Sequence, residues 1–271
     1  MESHSLFGFY VPEWTLFSTL TLILGILLNI SAFGGLSGET TPYSKFGSRN
    51  LDTIPSKKAM ICIYLPSVII CLLVKKPSFY NWQTHFDIIH LMSLFHFSKR
   101  VFEVCFVHIY KSTTNAETML SVMITYTLTT LLDLLMTQQM PDNVFSDSLT
   151  TVGIIIFVLG EFINGYHHWL LRKMRTEKDS AIQQELRSSY SLPQGGLFNH
   201  VIAPHYFGEQ LSFLGFILVS QNVVSLTLKA FPFIYLSIRA RKTREWYTSN
   251  LTNEYEQTAL SNRKNLIPFV W

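Results

Sequence analysis

Five polar side chains recur along one apolar segment in the second half of the chain. They are Glu161, Asn164, His168, Arg172 and Arg175, spaced 3, 4, 4 and 3 residues apart. At about 100° per residue, this spacing keeps all five on one narrow stripe of a helix. The arginines could donate charge-assisted hydrogen bonds to the phosphates of a ligand. The stripe therefore predicts the wall of a polar cavity, and the alternative is a hydrogen-bonded seam between helices.

The rest of the chain has the composition of a membrane protein. Of its 271 residues, 48% are hydrophobic and 14% are charged, whereas soluble domains have about 25% charged residues. A membrane span needs about 20 mostly apolar residues, and seven segments are candidates. In chain order these are Trp14–Phe33, Ala59–Val74, His85–His108, Met119–Met136, Leu149–Leu171, Tyr206–Thr227 and the short Leu228–Ile238. The expected fold is an all-α, multi-pass bundle of about seven transmembrane helices, with residues 1–271 forming a single integral-membrane domain.

The basic residues predict how the bundle is oriented. Alternate connections and the tail after Ile238 carry most of the Lys and Arg, including Lys57, Lys58, Lys111 and Arg241. Because positive residues favour the cytosolic side, the N-terminus is expected in the lumen and the C-terminus in the cytosol. The formal net charge of +3 is small, so a nucleic-acid partner is not expected.

A second polar stripe lies in the third candidate span. It consists of His96, Lys99, Arg100 and Glu103, and Lys99 and Glu103 could merely neutralise each other at a spacing of four residues. A metal site is not expected, because the adjacent residues His167 and His168 would point about 100° apart on a helix and no set of Cys or carboxylate ligands completes a site.

A loop rich in Gly, Pro and aromatic residues, Tyr190–Glu209, follows the fifth segment. Its pieces LPQGGLF at Leu192–Phe198 and YFGE at Tyr206–Glu209 resemble the C-terminal signature of the steroid 5α-reductase family. Further pieces follow the same order, from Ile163–Gly165 to the tail Asn265–Trp271. The resemblance is best over about residues 160–271, the part that binds NADPH in that family.

The chain has no GxGxxG or GxxxxGK[ST] motif for a nucleotide, so a dinucleotide would have to bind within the helical bundle. The resemblance implies which residues would bind NADPH there. His168, His205 and Arg244 stand where the family has other residues, and Arg100 matches a further basic position. The implied cofactor-binding residues are Arg100, Asn164, His168, Arg172, Arg175, Tyr190, His205, Glu209, Arg244 and Tyr247.

The resemblance also implies the reaction. NADPH would deliver a hydride to the β-carbon of a 3-oxo-4-ene steroid, or of a related lipophilic isoprenoid, and a proton would be added at the α-carbon. The 4,5 double bond would thereby be reduced in the endoplasmic-reticulum membrane. The family holds the substrate carbonyl with a glutamate and a tyrosine, but Tyr64 and Phe97 occupy the matching positions here. Phe97 has no donor, so Tyr64, together with His96, is expected to act as the catalytic group that polarises the carbonyl.

Two other functions remain open at this point. The run His96–Glu103, together with Phe106–His108, also resembles the very-long-chain enoyl-CoA reductase branch of the same superfamily. That branch would reduce a trans-2-enoyl-CoA in fatty-acid elongation. A catalytically inactive membrane scaffold is the second alternative, because Phe97 replaces a catalytic group of the family.

Overall fold

The computed structural model describes residues 5–6, 8–34, 53–74, 85–141, 144–178, 191–268 and 270. Tyr190, one of the expected cofactor-binding residues, lies outside this part of the chain. The described residues form eight α-helices, a π-helical turn after the third helix and a short 3-10 turn before the sixth. The helices are α1 (Leu16–Gly34), α2 (Ser56–Val74), α3 (His85–Phe102), α4 (Ala116–Gln138), α5 (Asp147–Lys178), α6 (Pro204–Ser220), α7 (Val223–Asn250) and α8 (Glu254–Ser261).

Four two-residue strands lie outside the helices and form two antiparallel pairs. Strands β1 (Ser5–Leu6) and β2 (Phe9–Tyr10) form an antiparallel pair before α1. Strands β3 (Ile54–Pro55) and β4 (Thr113–Thr114) form a second antiparallel pair. Because β3 leads into α2 and β4 leads into α4, these two helices start at the same end of the bundle and run side by side.

The helices confirm an all-α, multi-pass membrane protein. By length and composition, five described helices could cross a membrane, namely α1, α2, α4, α5 and α7. The other two long helices, α3 and α6, do not have the composition or length of a simple span. Helix α3 contains Asp87, Lys99 and Arg100, and α6 has 17 residues. Both pack inside the bundle, where α6 lies against α5, α3 and α7.

The boundary between the last two long helices differs from the expected one at Thr227 and Leu228. Helix α6 ends at Ser220, and Gln221 adopts a left-handed conformation with a φ of 47°. Asn222 then caps α7, because its side-chain oxygen accepts a hydrogen bond from the backbone N–H of Ser225 at 2.7 Å. Helix α7 continues through Pro232 for 28 residues, so the expectation of a short seventh helix was wrong.

Glycines bring the backbones of α5 and α6 into direct contact. A methyl group at Gly160 would lie 2.4 Å from the backbone nitrogen of Ser212, and one at Gly208 would lie 2.5 Å from that of Asn164. Small residues at such crossings permit the close helix packing that stabilises membrane bundles. The contact also holds the polar residues of α5 beside the first turns of α6.

Replacing Gly208 by alanine is expected to destabilise the bundle. The added methyl group would overlap the backbone of α5, and overpacking of this kind costs roughly 1–3 kcal/mol. The thermal unfolding temperature in detergent, followed by circular dichroism, should therefore fall.

The matched control is Gly34→Ala at the end of α1, where a methyl group would lie within 4 Å of no atom of the described residues. This variant should unfold within a degree or two of the parent protein, since Ala favours the helix. Equal unfolding temperatures for the two variants would contradict the described crossing of α5 and α6.

Candidate active site

The polar stripe of α5 faces the polar stripe of α3, and the two form a connected seam. The Nδ1 atom of His96 lies 2.6 Å from Glu161 Oε1. Lys99 Nζ lies 3.1 Å from Glu161 Oε2 and 3.1 Å from Glu103 Oε1, and it donates to Asn164 Oδ1 at 2.7 Å. Lys99 therefore connects Glu103, Glu161 and Asn164. The sequence spacing had suggested only a pair between Lys99 and Glu103.

A second group continues the seam toward the π-helical turn, Glu103–Val107. Arg100 donates to Glu103 Oε2 at 2.7 Å, and His168 Nδ1 lies 3.0 Å from the same oxygen. Arg100, Glu103 and His168 are all buried. Since an unpaired charge inside a membrane bundle is costly, each carboxylate here has a cationic neighbour.

A possible ligand set for a metal ion is also present in this region. One ligand atom each from Glu103, His108 and His168 lies within 4.8 Å of the others. Arg100 already places its guanidinium against Glu103 and 3.2 Å from His168 Nδ1. A cation bound there would have to share these ligands with a fixed positive charge, which disfavours a metal.

Tyr64 connects the seam to an apolar cavity. Its hydroxyl accepts a hydrogen bond from Arg100 at 3.0 Å, and Tyr64 lines a cavity that contains about 990 Å³ of empty space including its mouth. The walls come from α2, α3, α4, α6 and α7 and are mainly apolar. The cavity lining includes Met60, Ile63, Phe97, Val122, Tyr126, Phe213, Leu228, Lys229, Phe231, Tyr235 and Leu236.

His96 lies away from this lining. Its Nδ1 atom is committed to Glu161, and the rings of Phe97, Phe213 and Phe216 surround the imidazole with centroids 5.0, 5.6 and 6.2 Å away. In this arrangement His96 supports the seam, and Tyr64 is the expected catalytic residue that reaches the cavity.

The start of α6 contributes two of the expected cofactor residues. Asn164 Nδ2 donates to the backbone oxygen of His205 at 2.9 Å and lies 3.5 Å from Glu209 Oε2. The rings of His168 and His205 are 5.5 Å apart. The close crossing of α5 and α6 therefore brings Asn164, His168, His205 and Glu209 together.

The two arginines at the end of the stripe lie at the exposed end of the seam. Arg172 donates to the carbonyls of Phe106 and Val107, and Arg175 donates to the carbonyl of Ile109. The chain leaves the π-helical turn here, so the last carbonyls lack helical partners. Each guanidinium has five N–H donors, so donors remain on both side chains for a further acceptor.

The structure places Arg244 against the C-terminal tail. Its Nε donates to Asn265 Oδ1 at 2.5 Å and another nitrogen donates to the Leu260 carbonyl at 3.1 Å. Its third nitrogen donates to the Arg263 carbonyl. Tyr247 is buried three residues later, within electrostatic range of Arg175 and Arg263. Arg244 thus holds the tail beside the expected cofactor region.

The tail and α5 in turn shape the loop before α6. Arg263 donates a hydrogen bond to the Pro193 carbonyl at 2.5 Å. Burial lowers the pKa of Arg263, but the guanidinium stays protonated at neutral pH. His167 Nε2 accepts from the backbone N–H of Leu197 at 3.0 Å. A methyl group at Gly196, whose φ is +53°, would lie 2.8 Å from the Tyr166 ring. The glycine is needed both for this conformation and for this close approach.

Two further polar clusters were missed by the sequence interpretation. Asp133 on α4 pairs with Lys229 on α7 at 3.1 Å. Arg239 is almost fully buried and lies 3.2 Å from the Tyr206 hydroxyl and 3.4 Å from that of Tyr235. Asp133, Lys229 and Arg239 each lie within an apolar stretch of the sequence, and this position could have identified them. A charge inside a membrane segment indicates a partner or a function.

The fold and this geometry define a class of protein: a multi-pass membrane protein in which an apolar cavity ends at a buried phenol beside a charged seam. A family model described as 3-oxo-5-alpha-steroid 4-dehydrogenase matches residues 114–271. The chain belongs to this family, which confirms the resemblance inferred from the sequence.

Curated relatives are named as 3-oxo-5-alpha-steroid 4-dehydrogenases or as steroid 5-alpha-reductases. The chain is 32% identical over 130 residues to human 3-oxo-5-alpha-steroid 4-dehydrogenase 1, covering 48% of this chain and 45% of the relative. It is 30% identical over 131 residues to human 3-oxo-5-alpha-steroid 4-dehydrogenase 2, covering 48% and 46%. It is also 30% identical over 120 residues to steroid 5-alpha-reductase DET2 of Arabidopsis thaliana, covering 44% and 41%. The chain thus spans about half the length of the curated relatives it matches.

Replacing Lys99 by methionine is expected to destabilise the protein strongly. The change would remove the ammonium group that lies beside both Glu103 and Glu161. Removing one member of a buried ion pair costs roughly 3 kcal/mol or more. Unfolding in detergent at a fixed pH would measure the loss.

Lys242→Met provides a control of the same chemistry at an exposed pair. Lys242 lies 3.3 Å from Glu245, whose side chain is 47% exposed, and such pairs contribute about 1 kcal/mol or less. A Lys99 variant as stable as the Lys242 variant would show that the seam does not stabilise the fold.

Proposed function

We propose that this chain is an NADPH-dependent oxidoreductase that reduces the 4,5 double bond of a 3-oxo-4-ene steroid or a related isoprenoid. The observation that carries the proposal is the position of Tyr64, which lines the apolar cavity and accepts a hydrogen bond from Arg100 at 3.0 Å. One hydroxyl therefore touches both the space for a lipophilic substrate and the charged seam.

The cavity has the character expected for a rigid, mostly apolar ligand. Apolar atoms form most of its lining, as they do in most small-molecule sites. A few polar groups, including Tyr64 and Lys229, interrupt a lining of aliphatic and aromatic side chains. A substrate dissolved in the bilayer could enter such a site without an aqueous path.

Tyr64 would act as the donor to the substrate carbonyl. Reduction at the β-carbon places negative charge on the carbonyl oxygen as an enolate, and a fixed donor stabilises that charge. Because the Tyr64 oxygen accepts from Arg100, its own proton remains to be donated into the cavity. The nearby positive charge of Arg100 strengthens the phenol as a donor, and Phe97 on the same cavity wall supplies only apolar contact.

The donor set around the seam fits a polyanionic dinucleotide. Four cationic side chains lie along the seam, namely Lys99, Arg100, Arg172 and Arg175. Three carboxylates accompany them, Glu103, Glu161 and Glu209. The seam therefore has one net positive charge when its histidines are neutral. The buried Nε of Arg100 also makes no hydrogen bond within the described residues. NADPH, when bound, supplies the hydride, and the protein supplies orientation and excludes water.

Within this proposal the expected cofactor residues have separate roles. Arg172 and Arg175, at the exposed end of the seam, would bind phosphate groups with the N–H donors that their carbonyl contacts leave free. Asn164 and Glu209, buried between α5 and α6, would orient the nicotinamide end. Arg244 would act indirectly, because it holds the tail beside Tyr247.

The proposal includes a location in the endoplasmic-reticulum membrane, with the N-terminus lumenal and the C-terminus cytosolic. The exposed arginines at the end of α5 and the basic segment of α7 after Ile238 would then face the cytosol. This arrangement agrees with the preference of positive residues for that side, and it would expose the cofactor site to cytosolic NADPH.

The activity can be tested directly in microsomes that contain the expressed chain. With NADPH and a 4-en-3-one steroid, mass spectrometry should detect the saturated ketone, and omission of NADPH should abolish it. A trans-2-enoyl-CoA supplied in parallel should remain unreduced. Saturated product from the CoA thioester alone would establish the elongation reductase instead, and no product from either, with no NADPH binding, would establish a scaffold.

Tyr64→Phe is expected to lower kcat roughly a hundredfold, the typical effect of removing one donor from a developing oxyanion. The Kd for NADPH should change little, because the phenol faces the cavity. Tyr255→Phe serves as the control, since Tyr255 is 76% exposed on α8 and should leave kcat unchanged. A normal kcat for the Tyr64 variant would remove this residue from the mechanism.

A further inference from the structure

A second buried ion pair lies beside the cavity, away from the charged seam. Lys229 on α7 and Asp133 on α4 are 3.1 Å apart, with side chains that are 6% and 1% exposed. Asp133 Oδ1 also accepts from Ser225 Oγ at 2.5 Å. Lys229 lines the cavity, and Ser225, on the same helix as Lys229, holds the carboxylate that neutralises it.

The ammonium group of Lys229 has donor capacity toward the cavity. It carries three N–H donors, and Asp133 is its ion-pair partner within the described residues. The ring of Phe216 covers another side of the ammonium at 4.6 Å. A donor therefore remains for a group in the cavity that Lys229 lines, where Ser121, Thr125, Thr129 and Thr130 also contribute hydroxyls.

The distance between Tyr64 and this pair suits a sterol. The ring of Tyr126 on α4 lies 5.6 Å from the ring of Tyr64, and Asp133 follows Tyr126 by seven residues on the same helix. At 1.5 Å per residue, the Asp133–Lys229 pair lies about 10 Å further along the helix axis. This separation is close to the length of four fused rings.

We propose that Lys229 is a specificity-determining residue that donates a hydrogen bond to a neutral oxygen at the end of the substrate opposite the enone. The inference rests on the proposed function, in which Tyr64 receives the enone carbonyl. A 3-oxo-4-ene substrate would then be held between two donors, Tyr64 and Lys229, at opposite ends of one cavity.

The charge of the pair favours a neutral oxygen over a carboxylate. Asp133 already balances the one positive charge of Lys229, so a carboxylate on the substrate would leave an uncompensated negative charge in a buried site. A hydroxyl or ketone oxygen accepts a hydrogen bond without changing the charge balance. Hydrogen bonds to charged groups contribute about 1.5–3 kcal/mol, enough to discriminate among sterols.

The wild-type protein provides the first test, with three 4-en-3-one substrates that share one ring system. They carry at the far end a ketone, a hydrogen or a short acid. The expected kcat/KM for the ketone is at least tenfold above that for each of the other two. Equal values for the ketone and the hydrogen analogue, or preference for the acid, would overturn the inference while the reduction itself still supports the proposed function.

A matched pair of double variants isolates the donor from the charge. Asp133→Asn with Lys229→Gln removes both charges and keeps an N–H donor, whereas Asp133→Asn with Lys229→Met removes the donor as well. The first should retain most of the preference for the ketone, and the second should lose it, with kcat for the hydrogen analogue similar in both. The same preference in both variants would assign a purely structural role to Lys229.

Discussion

The constraint on which the structure depends is that charges inside a membrane bundle must be neutralised where they lie. Helices α3 and α5 meet this constraint together, since Lys99 lies within 3.1 Å of both Glu103 and Glu161. A paired arrangement of this kind fixes the rotation of each helix about its axis, because turning either one would leave a buried charge unpaired. The glycine contact between α5 and α6 then fixes the position of α6 relative to this pair of helices.

The same pairing places Tyr64, the proposed catalytic residue, at the edge of the charged region. Arg100 is held by Glu103 and in turn binds the hydroxyl of Tyr64 on α2. The phenol thus lies where the polar seam ends and the apolar cavity begins. In the proposed reaction, a lipophilic substrate in the cavity would meet the polar seam at this boundary, and a donor in a water-excluded site stabilises developing charge most strongly.

Much of the fold and part of the site could be predicted from the sequence. The long apolar segments gave the helices, and the spacing of Glu161, Asn164 and His168 placed them on one buried face. The pattern predicted that this face lines a polar cavity, with a hydrogen-bonded seam between helices as the alternative. In the structure these three residues bond directly to α3 and α6, so the stripe forms a seam, and the enclosed apolar space lies next to Tyr64. The boundary after Ser220 was misplaced because a local Asn cap outweighed the continuous hydropathy.

The sequence by itself determined the all-α, multi-pass membrane fold class, the family and the identity of the polar residues inside the apolar segments. These features are local, since hydropathy, helical spacing and short motifs do not require knowledge of distant contacts. Only the tertiary structure decided which charges pair, that Lys229 shares a cavity with Tyr64, and that Arg244 binds the tail. Each of these depends on the rotation and crossing of helices distant in sequence, which side-chain packing and charge pairing set together.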